Sequence, residues 1–189
     1  MRTLTLACLL LVLSACKKFD GGDILHVNKS IADASHDTIP DRATFTLRLS
    51  SDGNNYDETA FVFNCKASRA FDWNNDAVYF PGFGQVSLAS TSSDGRDMVI
   101  YELPYSSGMS VGLNIHSKKD GALNLALCKV KDIPAGIRIW LKDTYSRDSL
   151  DLCKGPYNFR VDKADTNSYG GRRLKLMLVS GPPMYWPNL

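Results

Sequence analysis

Hydrophobic and polar residues alternate along seven segments of the chain. The segment at 109–116, MSVGLNIH, places every second residue on an apolar face and the intervening residues on a polar face. In the segment at 173–178, RLKLML, Arg173 and Lys175 fall on the polar face. The other segments are 45–50, 61–65, 123–127, 137–142 and 157–162. A period of two is typical of strands with one buried and one exposed face, so each segment predicts a strand.

Turn residues separate the predicted strands, as in SDGNN at 51–55, SDG at 93–95 and KDG at 119–121. No segment keeps the helical period, and the spacing of alternating strand and helix units is absent from the sequence. The pattern therefore predicts an all-β domain over residues 42–180. The expected architecture is an antiparallel two-sheet β-sandwich of roughly eight to ten strands, immunoglobulin-like or jelly-roll-like.

The chain begins with MRTLTLACLLLVLSAC at residues 1–16. Arg2 supplies a short positive region, and the apolar run at 4–13 is shorter than the ~20 residues that span a bilayer. The end of this run, Leu13-Ser14-Ala15-Cys16, resembles the bacterial lipobox. The resemblance implies a signal peptide over 1–15 and lipidation of Cys16 by a diacylglyceryl group and an N-acyl chain such as palmitate. The alternative is an ordinary secretory signal in which Cys16 is an incidental thiol.

The residues after Cys16 bear on localisation. Lys17 stands where, by the rule of the lipoprotein family, an aspartate would retain the protein in the inner membrane. The resemblance therefore implies a lipid anchor in the outer membrane, with the domain facing the periplasm or the cell surface. Residues 16–41 lack a clear period and predict a lipidated flexible tether, in which His26 and His36 are solvated rather than metal ligands. Residues 181–189, GPPMYWPNL, predict a short C-terminal tail.

The body of the chain, from Thr44 to Leu178, carries an ordered set of short motifs. They are Phe71-Asp72, Asp76-Ala77, Leu103-Pro104, IWLKD at 139–143 and Tyr157-Asn158-Phe159. This set resembles the β-sandwich modules of surface and secreted proteins of bacteria that use type IX secretion. The resemblance implies a structural or adhesive unit rather than a catalyst. No second module with a sorting signal follows Val179 in this sequence, so the resemblance does not extend to the export route.

Charge and composition exclude some classes of function. The chain has 22 basic and 20 acidic residues and a net charge of +2, which argues against a dedicated nucleic-acid binder. Only His116 lies in the predicted domain, on the polar face of its strand, and no Gly-x-Ser-x-Gly motif is present. Glu58 and Glu102 are the only glutamates. The sequence therefore assigns no catalytic residues and no cofactor.

One loop has oxygen-bearing side chains at alternate positions, which is an arrangement that Ca²⁺ accepts. These residues are Asp72, Asn74 and Asp76. The alternative is an Asx-turn loop in which the same oxygens accept hydrogen bonds from nearby backbone N–H groups.

The cysteines of the domain differ in their predicted orientation. Cys65 lies in phase with Phe61 and Phe63, which predicts that it faces the core. Cys128 and Cys153 lie on the polar phase of their segments, and a bridge between them is the candidate disulfide in an oxidising envelope.

Trp140 falls on the polar face of its strand, between Arg138 and Lys142. An exposed aromatic residue beside cations can stack on a sugar ring or anchor a protein partner. The alternative is that a neighbouring loop or the C-terminal tail covers the ring. The sequence thus predicts a non-catalytic envelope lipoprotein that presents a binding, adhesion or structural module to a protein or glycan. The alternative function is a carbohydrate-active enzyme, or its accessory subunit, at the cell surface.

Overall fold

The computed structural model describes residues 39–180. The predictions on the signal peptide, on Cys16, on the tether up to residue 38 and on the tail at 181–189 lie outside these residues. Within 39–180, no helix is long and apolar enough to cross a membrane.

The described residues form eleven strands and one turn of 3₁₀ helix at Thr166–Ser168. Strands make up about 51% of this part of the chain, so the all-β prediction is confirmed. All seven segments with a period of two contribute to strands, whereas β3, β4, β5 and β9 have no such pattern. The strands are β1 (Thr44–Ser50), β2 (Tyr56–Phe63), β3 (Ala77–Val78), β4 (Val86–Thr91), β5 (Asp97–Leu103), β6 (Met109–Ser117), β7 (Gly121–Lys131), β8 (Ile137–Asp143), β9 (Asp148–Asp151), β10 (Tyr157–Val161) and β11 (Leu174–Ser180).

Hydrogen bonds join these strands into one mixed sheet that is nearly closed. Its order is β10-β7-β1-β2-β5-β4-β6-β11-β8-β9, and β3 pairs with β5. β2 and β5 run parallel, and the other ladders are antiparallel. Because β5 pairs with β2 through Ala60–Phe63 and with β4 through Ser90 and Thr91, it connects what would otherwise be two sheets. Two separate, purely antiparallel sheets are therefore not confirmed.

The core follows from the alternation along the strands. In β1, Phe45, Leu47 and Leu49 are fully buried, and the residues between them are half-buried. The rings of Phe45 and Phe61, which are paired across β1 and β2, stack with centroids 4.5 Å apart. Burying such side chains contributes about 1.5–3 kcal/mol each, so this face accounts for much of the stability of the domain.

One arginine crosses the gap between the two ends of the sheet. Arg173, just before β11, is buried and donates from Nη2 to Asp143 Oδ2 at the end of β8, at 2.8 Å. Its Nη1 donates to Arg160 O in β10 at 2.6 Å and also to Ser168 O. β10 is a terminal strand of the sheet, so the bond to Arg160 O ties this end of the sheet to β8 and the start of β11. The exposed position predicted for Arg173 is therefore wrong, because the side chain turns into the gap.

Candidate functional site

A surface groove of about 410 Å³ lies where the pairing of β2 and β5 stops. The ladder begins at Ala60 and Ile100, so the first residues of β2 have no backbone partner in β5. Thr59 Oγ1 instead lies 3.1 Å from Met98 O, inside the core. We call this opening the aromatic groove; its walls include Tyr56, Asp57, Val78, Tyr79, Phe80, Val86 and Val99.

Asp57 connects three segments at the groove. Its Oδ2 accepts a hydrogen bond from the Tyr79 hydroxyl at 2.7 Å and another from the Leu88 N–H at 2.9 Å. Its Oδ1 accepts from the Glu58 N–H at 2.9 Å. Burial, together with the hydrogen bond to Asp57, raises the pKa of Tyr79 to about 12. These hydrogen bonds from Tyr79, Leu88 and Glu58 thus hold the Asp57 carboxylate in one position in the groove wall.

Exposed aromatic rings surround this polar centre. Tyr56 is 50% exposed, and the Arg48 guanidinium lies over its ring at 4.3 Å from the centroid. Phe80 and Phe83, on the loop between β3 and β4, are 83% and 102% exposed. The Lys118 ammonium donates to Phe83 O at 2.9 Å and holds this loop against the body. Rings of this kind, set around a groove, can stack on flat apolar faces of a ligand.

The loop predicted to hold Ca²⁺ uses its oxygens for internal hydrogen bonds. Asp72 Oδ1 accepts from the Asn74 N–H at 2.9 Å, and Asp76 Oδ2 accepts from the Asp72 N–H at 2.8 Å. Asp76 Oδ1 accepts from the Glu102 N–H at 2.7 Å. Burial raises the pKa of Asp76, which disfavours its charged form. These contacts match the Asx-turn alternative, and no cluster of metal-ligating side chains was found within 39–180.

The predicted site around Trp140 lies on β8, on the outer face as expected. Trp140 is half-buried between Met177 and Asp151 of the neighbouring strands. Arg138 Nε lies 4.0 Å from the buried carboxylate of Asp151, and Lys142 is exposed. Trp140 therefore presents only part of its ring, in contrast to Phe80 of the aromatic groove.

The cysteines bear on two predictions, of which the core position of Cys65 is wrong. Cys65 is exposed rather than in the core, because β2 ends at Phe63 and the Cys65 N–H donates to Asp41 at 2.7 Å. Cys128 and Cys153 are both free thiols, so the structure contains no bridge between them. Cys128 Sγ lies 3.5 Å from Glu58 Oε1, and burial together with Glu58 raises the pKa of this thiol.

The Cys128 thiol lies beside a charged cluster on the outer face of β1 and β2. Glu58 Oε1 accepts from Arg48 Nη2 at 2.6 Å, and Lys129 Nζ lies 3.5 Å from Glu58 Oε2. A register shift between Thr46 and Leu47 of β1 leaves Cys128 unpaired in the β1–β7 ladder.

His116 is exposed on β6 as predicted, with its ring 5.8 Å from that of Tyr169.

The aromatic groove was not found by reasoning from the sequence. Its signal is present as Tyr79-Phe80-Pro81-Gly82-Phe83-Gly84, in which large aromatic residues alternate with turn formers. Pro and Gly prevent this stretch from continuing a strand, so its rings have no sheet face on which to be buried.

Comparisons with known proteins give no relative of this chain. No family model matches it, and neither the curated proteins nor the solved structures contain a match. The resemblance of residues 44–178 to the modules of type IX-associated proteins therefore stays a prediction.

Proposed function

We propose that this chain is a non-catalytic lipoprotein of the outer membrane whose β domain binds a glycan in the aromatic groove. The observation that carries the proposal is the exposure of Phe80 and Phe83 beside a groove with an ordered polar wall. Soluble domains bury most phenylalanine side chains, and a local concentration of exposed rings marks an interaction site.

An uncharged ligand fits the groove best. Asp57 is the one carboxylate among the lining residues, and both of its oxygens already accept hydrogen bonds from the protein. An acidic partner would find no cation among the lining residues, whereas a sugar ring offers an apolar face to Phe80 and hydroxyls to the Tyr residues. A glycan is thus favoured over an acidic protein segment.

A two-layer packing of the domain is part of this proposal. The strands β10-β7-β1-β2 form one layer and β6-β11-β8-β9 the other, with β5 and β4 joining them at one side. Buried residues alternate along strands of both sets and belong to one continuous core cluster, which supports this arrangement. The groove then lies at the joint between the layers.

The binding test compares two sets of exposed aromatic residues. The full chain and the double variant Phe80→Ala/Phe83→Ala are titrated with a panel of soluble neutral polysaccharides by calorimetry. The affinity is expected to fall about tenfold or more in the double variant, because central aromatic anchors dominate such interfaces. Trp73→Ala is the matched control, since Trp73 is 79% exposed but precedes β3 and lies outside the loop between β3 and β4 that carries Phe80 and Phe83.

The outcomes separate the proposal from its rival. Equal losses in the groove variant and the Trp73 variant, or no binding of any polysaccharide, would contradict glycan binding at the groove. Release of reducing sugar during the titration would instead favour the carbohydrate-active enzyme.

The membrane anchor is tested separately. Two or more acyl chains on Cys16 give stable membrane association at ~0.8 kcal/mol per buried CH₂ group. Cys16→Ser is therefore expected to move the protein from the membrane fraction to the aqueous fraction of disrupted cells. Cys65→Ser, which replaces an exposed thiol of the domain, is the control and should leave the fractionation unchanged. Unchanged membrane association of the Cys16 variant would overturn the anchor.

A further inference from the structure

A second surface depression, of about 630 Å³, lies between the β8–β9 turn and the segment that leads into β11. We call it the arginine pocket; its walls include Thr144, Tyr145, Arg147, Asn167, Tyr169 and Arg172. It shares no lining residue with the aromatic groove.

The backbone around the arginine pocket is held in place. The Thr144 N–H donates to Arg173 O at 2.8 Å, and the Thr144 hydroxyl donates to Arg172 O at 2.8 Å. The Gly170 N–H donates to Ile115 O at 2.7 Å, with Gly170 at a φ of 86° that favours glycine. Below Tyr145, the buried Arg173 guanidinium lies 4.9 Å from its ring centroid. The two walls are thus fixed to each other, and little ordering is needed for a ligand to bind between them.

The charge in the arginine pocket is not balanced. Arg147 and Arg172 are exposed, and no carboxylate of residues 39–180 lies within 4.0 Å of either guanidinium. The buried Arg173 is different, because Asp143 pairs with it. None of the lining residues is acidic.

The carboxylate of Asp165 interacts with one wall but does not neutralise these arginines. It accepts from the Asn167 N–H at 2.9 Å and from Asn167 Nδ2 at 3.1 Å. These bonds, with one from the Tyr145 hydroxyl, lower the pKa of Asp165. The Asp165 carboxylate thus accepts hydrogen bonds from Asn167 and Tyr145 of the pocket wall. Arg147 and Arg172 therefore have no carboxylate partner among residues 39–180.

We infer that the arginine pocket binds a phosphate or sulfate group, either free or as an ester on a larger molecule. Arginine presents several N–H donors in a planar fork that matches the oxygens of such anions, often in bidentate fashion. Both arginines line one depression, which also offers the second N–H of the Asn167 amide and the hydroxyls of Thr166 and Tyr169. This site is independent of glycan binding at the aromatic groove.

The test uses the full chain and variants that remove the charge but keep a polar, unbranched side chain. They are Arg147→Gln, Arg172→Gln and the double variant. Arg147 has a φ of 58°, so keeping a long side chain there leaves the backbone strain of the wild type unchanged. Arg160→Gln is the charge-matched control, because Arg160 is exposed on β10 and does not line the arginine pocket. Thermal melting checks that all the variants remain folded.

Calorimetry with dextran sulfate, and with dextran as the uncharged probe, measures binding. Each pocket variant is expected to weaken dextran sulfate binding about tenfold, since hydrogen bonds to charged groups are among the stronger ones. Arg160→Gln should bind like the wild type, and dextran should not bind at the arginine pocket. Equal losses in Arg160→Gln and the pocket variants, or unchanged binding in the double variant, would overturn the inference.

Two further arms identify the source of the anion. Inorganic phosphate and sulfate are added as competitors, and vesicles of phosphatidylcholine with or without phosphatidic acid are tested for sedimentation with the protein. Competition by the free ions that is lost in the double variant supports a free-anion or ester site. Arginine-dependent binding to the phosphatidic acid vesicles alone supports a lipid headgroup as the carrier. Absence of arginine-dependent binding in all arms overturns the site.

Discussion

Asp143 and Arg173 form a buried ion pair in which Oδ2 of the aspartate lies 2.8 Å from Nη2 of the arginine. The two side chains are 0% and 2% exposed. The same guanidinium reaches the backbone of β10, and the Tyr157 hydroxyl donates to Asp143 Oδ2 at 3.1 Å. The ion pair thus joins β8, β10 and the start of β11 at the gap between the ends of the sheet.

Arg173→Met is expected to destabilise the domain by about 3–5 kcal/mol, because it leaves the Asp143 charge buried without its partner. The free energy of unfolding, measured by urea denaturation, gives the effect. Arg172→Met is the matched control, since the neighbouring Arg172 is exposed and its loss should change stability by less than about 0.5 kcal/mol. Similar stabilities for the two variants would show that the pair does not hold the sheet together.

The ion pair should also make stability fall in acid. Burial alone would raise the pKa of Asp143, but hydrogen bonds and the charge of Arg173 outweigh it and hold that pKa below its ordinary value. A lowered pKa in the folded state stabilises the protein above the unfolded pKa of about 3.9, and this contribution is lost as the pH falls below that value.

Urea denaturation between pH 6 and pH 2 measures this contribution. The prediction is that Asp143→Asn is less stable than the wild type at neutral pH and that the difference shrinks in acid. A difference that stayed constant with pH would assign the effect to packing rather than to the charge.

Tyr79 should give the opposite dependence at alkaline pH. Its pKa of about 12 in the folded protein exceeds the ordinary value of about 10, so the unfolded chain loses its proton first. Stability from this residue is complete below pH 10 and falls as the pH rises from about 10 to 12.

Tyr79→Phe removes the titrating hydroxyl and should flatten the loss of stability over that range. Urea denaturation at pH 8 to 12 tests this, with Tyr56→Phe as a control on the same groove. An equally steep loss in Tyr79→Phe would mean that other groups cause the alkaline sensitivity.

The three cysteines within 39–180 are expected to be separate thiols in the purified, unreduced protein, since all three are free in the structure. Peptide mapping after alkylation without reductant should find Cys65, Cys128 and Cys153 each modified on its own peptide. A peptide containing Cys128 linked to Cys153 would instead restore the disulfide predicted from the sequence. The raised pKa of Cys128 further predicts that it reacts slowly at pH 7.

The regular strands of the fold could be predicted from the sequence because each has one apolar and one polar face. β4 and β5 were not predicted as strands, because their buried faces are not purely apolar. Ser90 in β4 is fully buried, and the buried Thr59 of β2 lies 3.2 Å from its hydroxyl. Strands of one continuous sheet and strands of two packed sheets alternate with the same period of two residues. Alternation therefore could not show that β5 pairs with both β2 and β4 and so makes one continuous sheet.

The buried ion pair could be predicted only in part from the alternation of apolar and polar residues. Asp143 continues the apolar phase of Ile139 and Leu141, which points to a buried carboxylate in need of a partner. Its partner Arg173 lies on a polar phase, and it is buried because it precedes the strand and turns inward. The aromatic groove depends on where a parallel ladder ends, and that position follows from long-range pairing rather than from any local pattern.

β1 has its two neighbours at very different distances along the chain. It pairs with β2 across a short turn, but its other edge pairs with β7, where Phe45 lies opposite Val130. A nascent chain therefore carries a hydrophobic hairpin with one open edge until most of the domain has been synthesised. Such late, non-local closure slows folding and leaves an edge that can pair with another molecule in the meantime. Folding intermediates that still carry this open edge are therefore expected to aggregate more readily than the folded domain.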